Sequence, residues 1–229
     1  MTLHRFFVPL EATVDDRVTL PATVERQVRG VLRMVDGDRI VVLPGDGTQA
    51  LCRLEGDRCV VEERSVPATE ARHRLTIVQA LLKGDAIEEV VQHATELGVA
   101  AFRLVVTERS VARDMSAHKL KRLRTIAREA AEQSERGIVP SIAAPTGLAA
   151  ALVPRSVLLY ERHDGVGLAR LDAPETLIIG PEGGFSRAEL ASATSAGVRI
   201  AGLGPRILRS QTVAVAAAAV ILSRTGDFA

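Results

Sequence analysis

Tryptophan is absent from the 229 residues, tyrosine occurs once, and aromatic residues make up only 3% of the chain. Stacking on aromatic rings therefore carries little of any affinity for nucleic-acid bases, which leaves charge and main chain to do the holding. Cysteine is almost as scarce. Cys52 and Cys59 are too few for a disulfide scaffold, and five scattered histidines show no ligand spacing with them; zinc sites use tighter cysteine pairs with further ligands. No metal is expected, and the two thiols read as buried or idle in a reducing cytosol. No stretch approaches 18 consecutive strongly apolar residues, and the start, MTLHRFFVPLEAT, lacks an extended apolar core of the signal-peptide kind. A soluble, cytoplasmic protein with no membrane partner is expected.

What the chain does have is concentrated near its C-terminus. Thr176 to Gly184 reads TLIIGPEGG, and Gly202 to Thr212 reads GLGPRILRSQT before a run of small apolar residues. Each half is a buried strand running into a glycine- and proline-bearing loop and then a helix, the way α/β proteins bring backbone to a ligand. Two such loops are expected to build one pocket. A pyrophosphate cradle needs clustered N–H groups and no local anion. Pro181 removes an N–H, and Glu182 sets a carboxylate where phosphate would sit, a repulsion of roughly 4 kcal/mol at 4 Å for an effective dielectric near 20. A neutral or cationic ligand is thus favoured over a nucleotide phosphate. Read conservatively, the same loop is a β-turn before a helix that Ser186-x-x-Glu189 would cap.

The formal charge of +1 hides an asymmetry: between Met115 and Arg128 lie Lys119, Lys121, Arg122, Arg124, Arg128 and His118, with no acid. A helix with that face either neutralises phosphates or is a solvated outer face. Residues 1–70 read as short strands punctuated by turns, including Arg39–Leu43, Gln49–Leu54 and Arg58–Glu62, with one helix from about Ala22 to Met34, which suggests a small β-barrel. From Leu75 strands alternate with helices: Leu75–Leu81, a helix that Asp85-x-x-Glu88 would cap and Gly98 would end, Ala101–Val106, the basic helix from Ser116 to about Ser134, and Val157–Tyr160, Leu177–Ile179 and Val198–Ala201. That alternation implies an α/β fold with a mainly parallel sheet, and the boundary falls near Val66–Ala68.

Taken in order, Arg5–Val8, Val31–Arg33 before Gly37–Asp38, Lys83–Asp85 with Thr95–Val99, Glu132–Ser134 before Val139–Pro140, Ile179–Phe185 and Leu203–Arg209 resemble the RsmE family, the 16S ribosomal RNA uridine N3-methyltransferases of the SPOUT superfamily. The resemblance spans the chain. It implies a PUA-like RNA-binding β-barrel over residues 1–68 and a SPOUT α/β domain over 69–229 with a deep trefoil knot, S-adenosyl-L-methionine as methyl donor, 16S rRNA of the small subunit as partner, and a homodimer. Tyr160, Gly180, Glu182, Gly183, Gly184, Leu203, Gly204, Ile207, Leu208 and Arg209 are then the expected cofactor residues. Arg5, Arg33, Lys119, Lys121, Arg122, Arg124 and Arg128 are the expected RNA contacts, and Tyr160 and Phe185 are candidates to pack on cofactor or base.

Uracil N3 must lose a proton as it reacts, so a cation beside a uracil carbonyl helps; Arg209 is the candidate. Glu182 either takes that proton or holds the cofactor or the loop by accepting backbone hydrogen bonds. The chain departs from the family where Thr, an acid, Thr and Ala usually follow Leu-Arg: it has Ser210, Gln211, Thr212 and Val213, so no carboxylate there is indispensable to the chemistry. It also reads Glu135-Arg136-Gly137-Ile138 where a different glycine-containing stretch is usual. A non-catalytic ribosome-assembly factor that has kept the fold is the alternative.

Overall fold

A computed structural model describes residues 3–163 and 165–228. By contacts the chain divides into two units, one of residues 1–70 with 128–139, the other of 71–127 with 140–229.

The first unit holds β1 (Arg5–Phe7), β2 (Thr13–Val14), β3 (Arg17–Thr19), α1 (Ala22–Glu25), β4 (Arg39–Leu43), β5 (Gln49–Glu55) and β6 (Arg58–Ser65), in a six-stranded sheet of order β1-β4-β5-β6-β3-β2. Only β1 and β4 run parallel. β5 alternates half-buried and buried residues, the period of a strand with one face on a core, and that core contains Val18, Ile40, Val42, Cys52, Leu54 and Cys59. Both thiols are fully buried and free. The hydrogen bond with Cys52, followed by burial, pushes the Cys59 thiol up, so it stays protonated and inert. The helix expected to reach Met34 is shorter: α1 passes into a π-helical turn, Arg26–Val31, and Arg33 turns left-handed at φ 56°. Gly30, a poor helix former, lies within that turn.

The second unit alternates β7 (Thr76–Ala80), α2 (Ala86–Glu96), β8 (Ala101–Val106), α3 (Ala117–Gln133), whose last residues belong by contacts to the first unit, β9 (Ser141–Gly147), β10 (Val157–Leu159), β11 (Thr176–Ile179), α4 (Arg187–Ser195), β12 (Arg199–Ala201) and α5 (Ser210–Arg224). Its sheet runs β12-β10-β11-β7-β8-β9 and every pairing is parallel. Val157–Leu159 and Leu177–Ile179 are buried throughout, as strands covered on both faces must be. β9 was not expected. It carries Pro145, which cannot donate to a ladder, and it is tolerated because β9 is an edge strand. Asp85 does not cap α2 with its side chain as expected; the Glu88 N–H goes to its backbone carbonyl at 2.8 Å instead. Gly98 does end α2, at φ 102°, where a Cβ would come within 2.9 Å of the Ala71 Cβ.

Candidate functional site

Leu159 of β10 stands opposite both Ile179 of β11 and Ala201 of β12, so three adjacent parallel strands finish level with one another. The loops leaving their carboxyl ends line a cleft of about 940 Å³, at the upper end of the size of small-molecule sites. Open parallel sheets bind ligands at this edge. Every residue expected to hold the cofactor, from Tyr160 through Gly180 and Glu182–Gly184 to Leu203–Gly204 and Ile207–Arg209, lines it. Two loops were expected; a third, Tyr160–Arg162, joins them, and Arg109 reaches in from the loop after β8.

The 180–186 loop is held from several sides. The expected capping box is present: the Ser186 hydroxyl accepts the Glu189 N–H at 3.2 Å, and the Glu189 carboxylate accepts the Ser186 N–H at 2.9 Å. The same carboxylate takes the Glu108 N–H at 2.8 Å, and Arg109 donates to the Gly183 carbonyl at 3.1 Å. Gly180 is required by space, since a Cβ there would meet the Phe185 ring at 2.9 Å. Phe185 is itself buried in the core with Val78, Leu158 and Ile178, so it supports the loop from below and is not presented as a stacking face. Tyr160, half-buried, packs on the same core.

Of the two roles left open for Glu182, the geometry favours holding the loop: its Oε1 accepts the Lys83 N–H at 3.0 Å. The inference of a phosphate-averse cleft does not survive. Arg109, Arg162, Arg187, Arg206 and Arg209 line it against Glu161 and Glu182, so the local charge is positive. Arg206 and Arg209 share one loop, whereas Arg109, Arg162 and Arg187 come from the loops after β8 and β10 and the start of α4, which no single motif displayed together.

At the start of α5 the Ser210 hydroxyl donates to the Gly180 carbonyl at 2.6 Å and accepts from Gln79 Nε2 at 2.9 Å. This chain ties β7, the first loop and the last helix together through buried groups. Ser210→Ala is expected to lose about 1–3 kcal/mol, because the Gly180 carbonyl and the Gln79 amide lose a partner in a place water reaches poorly. A denaturant midpoint equal to wild type would contradict that linkage. Arg209, just before the helix, is exposed, and its side chain makes no capping bond.

The expected RNA contacts separate into two groups. Arg5 is 14% exposed and pairs with Glu135 at 2.7 Å, which removes it from the free cations. Arg122 pairs with Glu88 at 2.7 Å, Arg124 donates to the Ile142 carbonyl at 3.0 Å, and Lys119 donates to the Gly84 carbonyl. Arg33, Lys121 and Arg128 are exposed. The basic face is therefore partly engaged in anchoring its own helix. Among the described residues no cluster of three or more His, Cys, Asp or Glu side chains is suited to a metal, and no helix is long and apolar enough to cross a membrane.

The RNA methyltransferase domain family matches residues 69–222. Ribosomal RNA small subunit methyltransferase E of Bacillus subtilis is 33% identical, over 97% of each chain, and that of Synechocystis is 33% identical over 95% of this chain and 77% of its own. The crystal structure of ribosomal RNA small subunit methyltransferase E from Neisseria gonorrhoeae, bound to S-adenosyl methionine, superimposes with a TM-score of 0.91 at 29% identity and covers all of both chains.

Proposed function

The chain belongs to the ribosomal RNA small subunit methyltransferase E family, and on that premise we propose that it methylates N3 of a uridine in 16S rRNA, the one equivalent to position 1498, using S-adenosyl-L-methionine. The observation that carries this reading is the single cleft in which all the expected cofactor residues meet, in a fold shared over its full length with a relative solved with that cofactor.

The residues fit the group. Gly204, at φ 92°, has nothing within 4 Å of where a Cβ would lie, so a ligand can rest on bare main chain there. On the facing loop the Cβ positions of Gly183 and Gly184 are taken up by Arg109 and Glu161, so side chains as well as main chain meet a ligand there. When bound, the cofactor supplies an electrophilic methyl on a sulfonium whose positive charge disappears on transfer. The chain's own part is alignment of the acceptor and stabilisation of charge on the uracil. Arg209 serves the second purpose by facing a uracil carbonyl.

The finer assignments belong to the same proposal. Residues 1–68 act as a PUA-like RNA-binding barrel, residues 69–229 as a SPOUT domain with a trefoil knot, and two copies pair in the cytoplasm through small side chains of α5. Arg224, at the end of α5, donates to the Leu171 carbonyl at 2.7 Å, between β10 and β11, a contact that supports a threaded chain end. Lys121→Ala with Arg122→Ala is expected to weaken RNA binding and to flatten the dependence of log K on log salt by about 1 to 2 units. Because Arg122 is paired with Glu88, the Lys121 substitution is expected to account for the larger part; an unaltered slope for the double variant would remove the basic face from the interface.

The reading is tested by incubating purified protein with labelled S-adenosyl-L-methionine and small subunits lacking the mark, followed by nucleoside mass spectrometry. Formation of 3-methyluridine is expected. Cofactor affinity with no turnover on any RNA would favour the second reading, a non-catalytic assembly factor, to which Gln211 in place of the family acid is the one pointer.

A further inference from the structure

Among the described residues two carboxylates line the cleft, Glu161 and Glu182. Glu182 is engaged by the Lys83 N–H. Glu161, just beyond β10, is exposed and has no hydrogen-bond or ion-pair partner among the described residues. Its Oε1 and Oε2 lie 3.1 and 3.6 Å from the point a Gly184 Cβ would occupy. The carboxylate thus rests against the bare backbone of the Gly183–Gly184 turn, and the φ of 66° at Gly184 is a conformation that resists any side chain which would displace it.

The pairing edge of uracil presents one donor, N3–H, between two carbonyl acceptors. A carboxylate not tied to the main chain, in a cleft that five guanidinium groups also line, matches that pattern: an acceptor for N3–H and donors for the oxygens on either side. Resting on the uridine-methylation reading above, we propose that Glu161 accepts the N3 proton of the target uracil. In that step the N3–H bond breaks and its proton passes to the Glu161 carboxylate. The N3 electron pair forms the bond to the methyl carbon, the carbon–sulfur bond breaks to leave a neutral thioether, and the proton then leaves to solvent.

The test compares wild type, Glu161→Gln and Glu161→Asp by calorimetry with S-adenosyl-L-methionine and by turnover against pH on small subunits lacking the mark. For the Gln variant, cofactor Kd stays within about threefold of wild type while kcat falls at least about 100-fold, the low end of what a positioned base contributes. Its rate climbs about tenfold per pH unit on the alkaline side as uracil must ionise unaided, and the Asp variant recovers part of the loss. A Gln variant with kcat within a few-fold of wild type overturns the assignment. So does a cofactor Kd weakened by the same factor as kcat/KM, which would make Glu161 a binder of the donor's ammonium group. Wild-type protein that forms no 3-methyluridine sinks the functional reading and this assignment together, whereas a methylating wild type with an unimpaired Gln variant sinks the assignment alone.

Discussion

Arg209→Ala is expected to lower kcat by about 100- to 1,000-fold, the range seen when one preorganised charge-stabilising donor is removed from an active site, with cofactor Kd within about threefold of wild type. The residue is suited to a clean test. It precedes α5 at φ −66° and ψ 149°, an extended conformation that alanine adopts freely, and its side chain makes no cap that the helix would lose. Cofactor contacts are assigned to the main chain of the two loops, so truncation of an exposed guanidinium leaves them in place. Arg209→Lys keeps the charge but loses the planar fork, and an intermediate rate is expected of it. Single-turnover rates beside calorimetric affinities decide the matter: equal losses in both would make Arg209 a cofactor residue and vacate the role given to it here.

The second large effect concerns stability. Arg136 is only 2% exposed, and Glu70 meets it at 2.8 Å while also accepting the Ile138 N–H at 3.0 Å. Glu70→Ala is expected to cost about 3–5 kcal/mol, since it takes the carboxylate away from a guanidinium that water cannot reach. Glu70→Gln, which keeps an acceptor but not the charge, is expected to lose less. Equilibrium unfolding in urea followed by a probe in the first unit would measure both; a shift below about 1 kcal/mol for the alanine variant would show that Arg136's other interactions hold it without Glu70.

Much of the second unit was legible because its signals are local. β8 matches the strand expected at Ala101–Val106, the Ser186–Glu189 box is present in both directions, and the alternation of strands and helices yields the parallel sheet. The failures have equally local causes. Asp85 resembles a cap in sequence, but the helix satisfies its first turn through backbone. Pro145 and the exposed residues around it disguised β9. The candidate site was legible as two loops because glycine and proline mark loops; what the loops touch was not. Gln79 and Ser210 are 131 positions apart, and Lys83 and Glu182 are 99. No periodicity or propensity carries information over such separations, so Glu161, Arg109 and the cleft's surplus of arginine emerged only when the strand ends were side by side.

One carboxylate, that of Glu189, clasps two segments at once, the loop after β8 through Glu108 and the first turn of α4 through Ser186. Those two sides of the cleft are consequently braced as a single abutment. The opposite lip, Leu203 to Leu208, makes no main-chain hydrogen bond to another segment among the described residues, and four of its six residues are exposed. That lip is therefore the side of the cleft least restrained by main-chain hydrogen bonds, and the clasped side is the more firmly held of the two.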